Sequence, residues 1–488
     1  MYQLLIILSQ IPSITYWITF FIILFLIIIL AYFYLEWKTW SLLKVEKYLD
    51  NVVQRRTDSL VKEKDQIEHL LINLLPKETA DELKATGRVK PKRYDLVTIL
   101  FADVQGFTKI SKEFTPEELI EILNHIFYNF DKTVEKYNIE KIKTIGDCYM
   151  CAGGLPKKNS TNPIEVVLAA LEMQHFMHEL NKKYTIPWNL RIGVHTGAVI
   201  AGVVGSKKPV YDIWGDSVNT ASRMESHGSP DKVNISGITY ELTKDYFNCE
   251  YREKVPIKNM GAVEMYFVNS ICDELMDKVT REPNKDFQLK LQNLRLKDLE
   301  EEIINKLIVD LPSNLTYNNL QHTLDVQRYV EAIGKYEGIT EEEMLLLKTS
   351  AILHDIGYIW DYDNHTHLSV DFAGQILPKY KYSEHHIKVI MDLIKVTSRP
   401  YKPRNKMEEI ICDADQSYLL KKNANEYILS KFGQYKHHSR IKSERNWFKG
   451  ELENLANPTF YTKSVRNFDE LSAEERLQLV DTLLPKIR

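Results

Sequence analysis

Cysteine is scarce in this sequence: five in 488 residues, too few for a disulfide scaffold and suited to a reducing compartment. Net charge is slight as well, 63 basic against 67 acidic side chains, a formal −4 with a pI near 6.4. That balance argues against a chain-wide grip on a polyanion, and no nucleic-acid partner is expected. No charged side chain occurs from Met1 to Leu35. The same stretch lacks the basic n-region and small-residue cleavage site of a secretory signal. What is present is ordinary globular composition, 44% hydrophobic and 27% charged, which excludes a largely disordered chain. At about 100–200 residues per domain the length predicts two or three domains.

Ile14–Leu35 is nearly all Ile, Leu, Phe, Tyr and Trp over 22 residues. As a helix it would cross a hydrocarbon core of about 30 Å. Basic residues follow only at Lys38, Lys44 and Lys47. By the positive-inside rule the long C-terminal part is then cytoplasmic, held to membrane lipid by one single-pass anchor. The short segment before the anchor is too small for a folded sensor. From Ser41 to Leu75 the chain is highly charged, with an apolar row seven residues apart, Val53, Leu60, Ile67 and Leu74. A poorer second row runs Leu49, Arg56, Glu63, Leu70. Two such rows predict a coiled-coil stalk that pairs with a parallel partner, rather than a solitary solvated helix. Pro76 ends it.

Beyond Pro76, strand and helix patterns alternate. Strands are expected at Leu96–Phe101, Trp188–Val194, Val199–Val204, Val233–Ile235 and Val263–Val268, with Gly197 breaking the middle pair. Helices are expected at Pro116–Tyr137, Pro163–Tyr184 and Asp216–Ser226, and a hairpin turns at Gly146-Asp147. This pattern is an α+β sheet domain with helices on one face. Asp103, in Phe-Ala-Asp-Val-Gln-Gly-Phe-Thr, and Asp147, in Lys-Thr-Ile-Gly-Asp, follow apolar strands. Singly, each reads as a cap or a turn former. Together, beside Gly106 and Gly146, they can hold two Mg²⁺ ions around a triphosphate. Asn219 and Arg223, four apart, share one helix face, where an Arg can meet charge developing on a phosphoryl group. Cys148 and Cys151 point to opposite faces of a strand and read as packing residues.

Phe101–Thr108, Lys141–Gly154, Arg191–Gly205 and Tyr211–Arg223 together resemble the class III nucleotidyl cyclase catalytic domain nearly throughout. The resemblance implies a ferredoxin-like, palm-type fold. It implies metal binding by Asp103 and Asp147 with help from the Val104 carbonyl, and phosphate binding by amides at Gly106 and Phe107. It also implies a homodimer with both active sites at the subunit interface. There Lys143, Asp212, Asn219 and Arg223 of one copy meet the metal-binding carboxylates of the other. Lys143 is a donor suited to adenine N1 and Asp212 an acceptor suited to the 6-amino group. The similar guanylyl cyclases carry Glu and Cys at these positions, so ATP is the expected substrate and 3′,5′-cyclic AMP the product, with Mg²⁺ or Mn²⁺ as cofactor, two ions per site. The family often carries two basic residues near the last strand; here Lys258 remains and Met260 replaces the other.

A charged helical stretch to about Val309 leads into a strongly helical region. His322, the adjacent His354-Asp355 and Asp415 offer two imidazoles and two carboxylates, a set suited to a divalent metal and phosphoester hydrolysis. The order resembles the HD superfamily of metal-dependent phosphohydrolases. Tyr317–Val326 is also similar to the opening motif of the cyclic-nucleotide phosphodiesterases in that superfamily, whose general-acid histidine corresponds here to Asn318. An amide cannot replace an imidazolium as proton donor. His365, His367, His385 and His386 are candidates for a second metal or a replacement acid, with solvated surface histidines as the plainer alternative. The tail from Glu426 offers no chemical constellation and reads as packing.

The expected organisation is an anchor (1–40, spanning about 14–35), a stalk (41–75), a cyclase domain (76–270), a helical linker (271–310), an all-α HD domain (311–430) and a helical extension (431–488). Two competing functions are a catalytically silent nucleotide-sensing scaffold and an HD phosphodiesterase regulated by the cyclase domain.

Overall fold

A computed structural model describes residues 2–72, 75–184, 186–205, 209–257 and 261–486. Leu74, Lys258 and Met260 lie outside the described residues, as do the side chains of Ile67 and Leu70. The chain divides into two compact units, Met1–Val89 with Val204–Tyr211, and Lys90–Val203 with Asp212–Arg488.

In the first unit, the segments expected as anchor and stalk lie in one uninterrupted helix, α1 (Tyr2–Ile72), followed by α2 (Lys77–Thr86). Among its described residues α1 contains a segment long and apolar enough to cross a membrane, with none of that segment buried within the chain. Val53 and Leu60, on the seven-residue row, are likewise exposed.

The second unit begins with a sheet of strands β1 (Lys92–Val104), β2 (Glu140–Ile145), β3 (Cys148–Gly153), β4 (Leu190–Val204), β5 (Val210–Trp214), β6 (Lys232–Ser236), β7 (Phe247–Ile257) and β8 (Gly261–Ile271). The order is β2-β3-β1-β4-β6-β8-β7, with β5 paired to β4 outside that path. Its helices are α3 (Phe107–Ile110), α4 (Pro116–Lys136), α5 (Asn162–Asn181), α6 (Asp216–Ser226) and α7 (Gly237–Thr243). A capping box closes the start of α4, the Thr115 hydroxyl accepting from Glu118 N while the Glu118 carboxylate accepts from Thr115 N.

Strand alternation decides which residues face which helix. Leu100, Ala102, Val104, Ile192 and Val194 point into one core with Ile126 and Phe130 of α4 and Ile164 and Met173 of α5. Gly193, between two of these, points the other way, where an added Cβ would lie 1.8 Å from the Glu225 backbone nitrogen of α6. Helices therefore cover both faces of the sheet, not one. β4 is also one continuous strand rather than two broken at Gly197. There the missing side chain makes room for Ser217 of α6, whose Oγ would lie 2.4 Å from a Cβ. Gly197 therefore marks a close approach inside one strand rather than a gap between two, and β7 is a strand additional to those expected.

Helix α8 (Lys285–Asp310) follows the sheet, in the stretch expected as a helical linker. Phe287 and Leu291 belong to the core of the sheet domain, while Leu296, Leu299, Ile303 and Leu307 belong to the helical core that follows. Both cores thus share one helix. The helical region continues through α9 (Leu320–Glu337), α10 (Glu341–Leu353), α11 (His365–Ile376), α12 (Glu384–Val396), α13 (Lys406–Asp415), α14 (Ala424–His437), α15 (Glu444–Ala456) and α16 (Ala473–Leu483).

Candidate functional sites

The β2–β3 hairpin turns through Gly146, whose φ of 63° suits a residue without a Cβ, and Asp147 follows it. β1 ends beside it at Asp103 and Val104, paired with Arg191 and Leu190 of β4. Asp147 comes within hydrogen-bonding reach of Asp103; burial, then the Asp103 charge, pushes the Asp147 carboxyl up from its ordinary value. Two carboxylates brought together at a half-buried strand end repel each other, a cost that divalent cations remove, so the pair fits such ions. Arg191 Nη2 lies 3.0 Å from Asp103 Oδ2 and 2.7 Å from Glu225 Oε1. Neither Arg191 nor Glu225 stands out as a site residue in the sequence. The available signal was a cation in an otherwise apolar strand and an acid on the buried face of α6.

Lys143 on β2 and Asp212 on β5 meet, with Nζ donating to Asp212 Oδ2 at 2.6 Å. On α6, Ser217, Ala221, Met224 and Glu225 are buried toward the sheet, while Asn219 is exposed and Arg223 half-buried. Gly106 caps α3 in a left-handed conformation and is exposed, with Phe107 half-buried behind it. Cys151 lies in the α4/α5 core and Cys148 on the other strand face, where burial pushes its thiol up to about 12. The two thiols thus lie on opposite faces of β3.

A second cluster forms at one end of the helical region. His322 sits in the first turn of α9, capped by the Asn319 side chain. His354 and Asp355 end α10, and Asp415 ends α13. The Nε2 atoms of His322 and His354 are 3.4 Å apart. Asp355 Oδ2 is 3.5 Å and 3.4 Å from them, and Asp415 Oδ1 3.1 Å and 3.7 Å. His354 Nδ1 is 2.8 Å from the Ala351 carbonyl, which orients the ring and leaves Nε2 for the cluster. The ligand atoms of His322, His354 and Asp355 all lie within 4.8 Å of one another and fit one divalent ion, with Asp415 beside the two imidazoles. Burial opposes charge on His354, but Asp355 and Asp415 outweigh it and raise the imidazole to about 9.

The carboxylates are held from behind. Asn318 Nδ2 donates to Asp355 Oδ2 at 2.7 Å, and Asn318 Oδ1 accepts from Gln434 Nε2 at 2.8 Å. Tyr401 donates to Asp415 Oδ2 at 2.6 Å. A cavity of about 380 Å³ opens beside Asp355 and Asp415, and Lys431, Tyr435, Arg440 and Trp447 help to line it. The tail is thus part of this pocket, which corrects its reading as packing alone; hydrophobic spacing conceals such a role because these residues approach the histidine and aspartate cluster only through tertiary folding. Of the four candidate histidines, His365 lines the cavity, its ring stacked on Tyr358 at 3.9 Å. His386 pairs with Glu342 at 2.8 Å, His367 lies 3.6 Å from Asp371, and His385 is exposed.

Residues 89–270 match the family of adenylate and guanylate cyclase catalytic domains, and residues 319–418 match the HD domain family. The chain carries a nucleotidyl cyclase catalytic domain followed by an HD domain. It is 40% identical over 250 residues to guanylyl cyclase C of Homo sapiens, covering 50% of this chain and 23% of that protein. It is 38% identical over 237 residues to the receptor-type guanylate cyclase gcy-28 of Caenorhabditis elegans, covering 47% and 19%. The chain thus spans less than a quarter of the length of these curated relatives. Among solved structures, the guanylate cyclase domain of RhGC from Catenaria anguillulae in complex with GTP is 31% identical, covering 37% of this chain and 100% of that one with a TM-score of 0.36. The adenylyl cyclase CyaB from P. aeruginosa is 30% identical, covering 38% and 99% with a TM-score of 0.37.

Proposed function

We propose that this chain is a membrane-anchored adenylyl cyclase, converting ATP to 3′,5′-cyclic AMP and pyrophosphate as a homodimer, with an HD metal-dependent phosphohydrolase domain behind it. The observation that carries the reading is the Lys143–Asp212 pair at 2.6 Å. In the register expected from the resemblance, Lys143 donates to adenine N1 and Asp212 accepts from the 6-amino group. Guanine in that register would set Lys143 against its N1–H and Asp212 against O6, two like-with-like contacts. The relatives named above are mostly guanylyl cyclases, so the base choice rests on this pair.

Asp103, Asp147 and the Val104 carbonyl would hold two Mg²⁺ or Mn²⁺ ions. When bound, such ions activate the ribose 3′-oxygen for attack on the α-phosphorus and neutralise the departing pyrophosphate. Amides at Gly106 and Phe107 would receive phosphate oxygens, and Lys258 is the residue assigned to the terminal phosphate by the resemblance. Asn219 and Arg223 act across the dimer interface, Asn219 orienting the ribose and Arg223 meeting the charge that grows on the α-phosphoryl group. Their position on the outward side of α6 supports action on a partner's nucleotide. The unburied apolar length of α1 supports a lipid-embedded anchor, and the exposed Val53 and Leu60 support a paired stalk. In the HD domain, His322, His354, Asp355 and Asp415 would hold a divalent ion that supplies an activated water for phosphoester hydrolysis.

Purified full-length protein given ATP or GTP, under Mg²⁺ and under Mn²⁺, should yield cyclic AMP as the predominant product. Predominant cyclic GMP would overturn the base assignment, and no cyclic nucleotide under either metal would overturn the enzyme.

A further inference from the structure

We propose that the HD pocket is built for a phosphodiester monoanion carrying an aromatic ring, and that Arg399 is the residue that reads its charge. The inference deepens the HD reading above and rests on it for the divalent ion. Three cations line the cavity, Arg399, Lys431 and Arg440. Lys431, 1% exposed, is committed to Glu451 at 2.7 Å, and Arg440 to Asp363. Arg399 is solvent-accessible; its Nε donates to the Tyr401 hydroxyl at 3.0 Å, and it makes no ion pair among the described residues. Since Tyr401 in turn holds Asp415, the guanidinium stands next to the metal cluster.

Counting charge then selects the ligand. Asp355 and Asp415 balance one divalent ion, and Glu451 and Asp363 balance Lys431 and Arg440. One positive charge, on Arg399, is left over. A phosphodiester carries one negative charge at neutral pH, whereas a terminal phosphate carries about −1.5 to −2. The diester leaves the site neutral, and the monoester leaves it anionic in a partly enclosed pocket.

A second observation points to the same ligand. Among the described residues the Tyr317 hydroxyl is buried without a hydrogen-bond partner although Tyr317 lines the cavity, its ring 5.0 Å from that of His322. A buried hydroxyl without a partner is costly unless something entering the cavity completes it, and a non-bridging phosphate oxygen beside the metal cluster can do so. Tyr358, Tyr362, Tyr435 and Trp447 line the wall beside Asn318, Thr397 and Ser398, and their rings suit a planar ring.

The test uses full-length protein loaded with Mn²⁺ and two probes, bis(p-nitrophenyl) phosphate, an aryl diester, and p-nitrophenyl phosphate, an aryl monoester. Binding is read by equilibrium dialysis and turnover by nitrophenol release. Turnover adds water across one P–O bond of the diester, giving nitrophenol and nitrophenyl phosphate. The diester should bind about tenfold or more tightly than the monoester. Arg399→Ala should cost about tenfold in diester affinity at unchanged manganese content, with Arg399→Lys recovering part of it. Binding that depends on Arg399 without hydrolysis would uphold this inference and overturn the hydrolase reading. Preference for the monoester, or an Arg399→Ala protein that binds the diester as well as wild type, would overturn the inference.

Discussion

Exchanging Lys143 for a carboxylate and Asp212 for a thiol would reverse the hydrogen-bonding polarity at the base. The double variant Lys143→Glu, Asp212→Cys should therefore move the GTP-to-ATP ratio of kcat/KM upward by about tenfold or more, read by product chromatography. His195 provides a test of a different kind. It is buried on β4, its Nδ1 2.7 Å from Ser236 Oγ, and burial holds its imidazole down at about 4 against an ordinary 6.5. The folded protein therefore resists protonation there, while the unfolded chain takes a proton up below about 6.5. Stability from this residue is complete above that pH and is lost as pH falls from 6.5 toward 4, by about 3 kcal/mol at most. Thermal melts at pH 7 and pH 5 should differ more for wild type than for His195→Gln. Residue types at ordered spacing singled out Asp103, Asp147, His322, His354, Asp355 and Asp415, and the structure brings the members of each set together. Arg191, Arg399 and Tyr401 were not readable, because their significance lies in what they touch, and a strand cation or a loop tyrosine carries no periodic signal.

Between elements, buried polar contacts tie α8 to α5 and to the loop before α5. Glu165 of α5, 4% exposed, accepts from Arg295 of α8 at 3.0 Å and from Lys381, past the end of α11, at 3.3 Å. Asp298 of α8 accepts from the Ser160 hydroxyl at 2.6 Å and amide at 2.8 Å. Removing the Glu165 carboxylate would strand two cations at this junction. Glu165→Ala should cost about 3–5 kcal/mol in chemical denaturation, a larger loss than the exposed pair Lys182–Glu179 can produce, which is worth about 1 kcal/mol or less. Periodicity located α4, α6 and the β2–β3 hairpin closely, since each has a cap, a face or a turn of its own. It failed at β4, where Gly197 serves helix packing, and at β7, whose alternation is interrupted by register shifts near Asn248 and Tyr251. Helix placement on both sheet faces was not legible either, because the deciding fact is the space left at Gly193.

For the whole molecule, the proposed dimer makes the catalytic interface and the stalk interface parts of one pairing. Insertion of a single residue between Ser41 and Ile72 turns a helix by about 100° and should change cyclase activity severalfold in either direction, measured as cyclic AMP formed per minute at fixed protein. Indifference to the insertion would mean the two interfaces are not coupled. The shared site itself is tested most directly by mixing two inactive proteins. Asp103→Ala lacks the metal-binding acid and Arg223→Ala lacks the guanidinium, yet a mixed pair would contain one site with both defects and one with neither. Co-expressed under two affinity tags and purified through both, the mixed pair should regain cyclic AMP synthesis to about half the wild-type rate, with either variant alone inactive. Doubly tagged pairs that form in full yet make no cyclic AMP would contradict an active site shared between two copies of the chain.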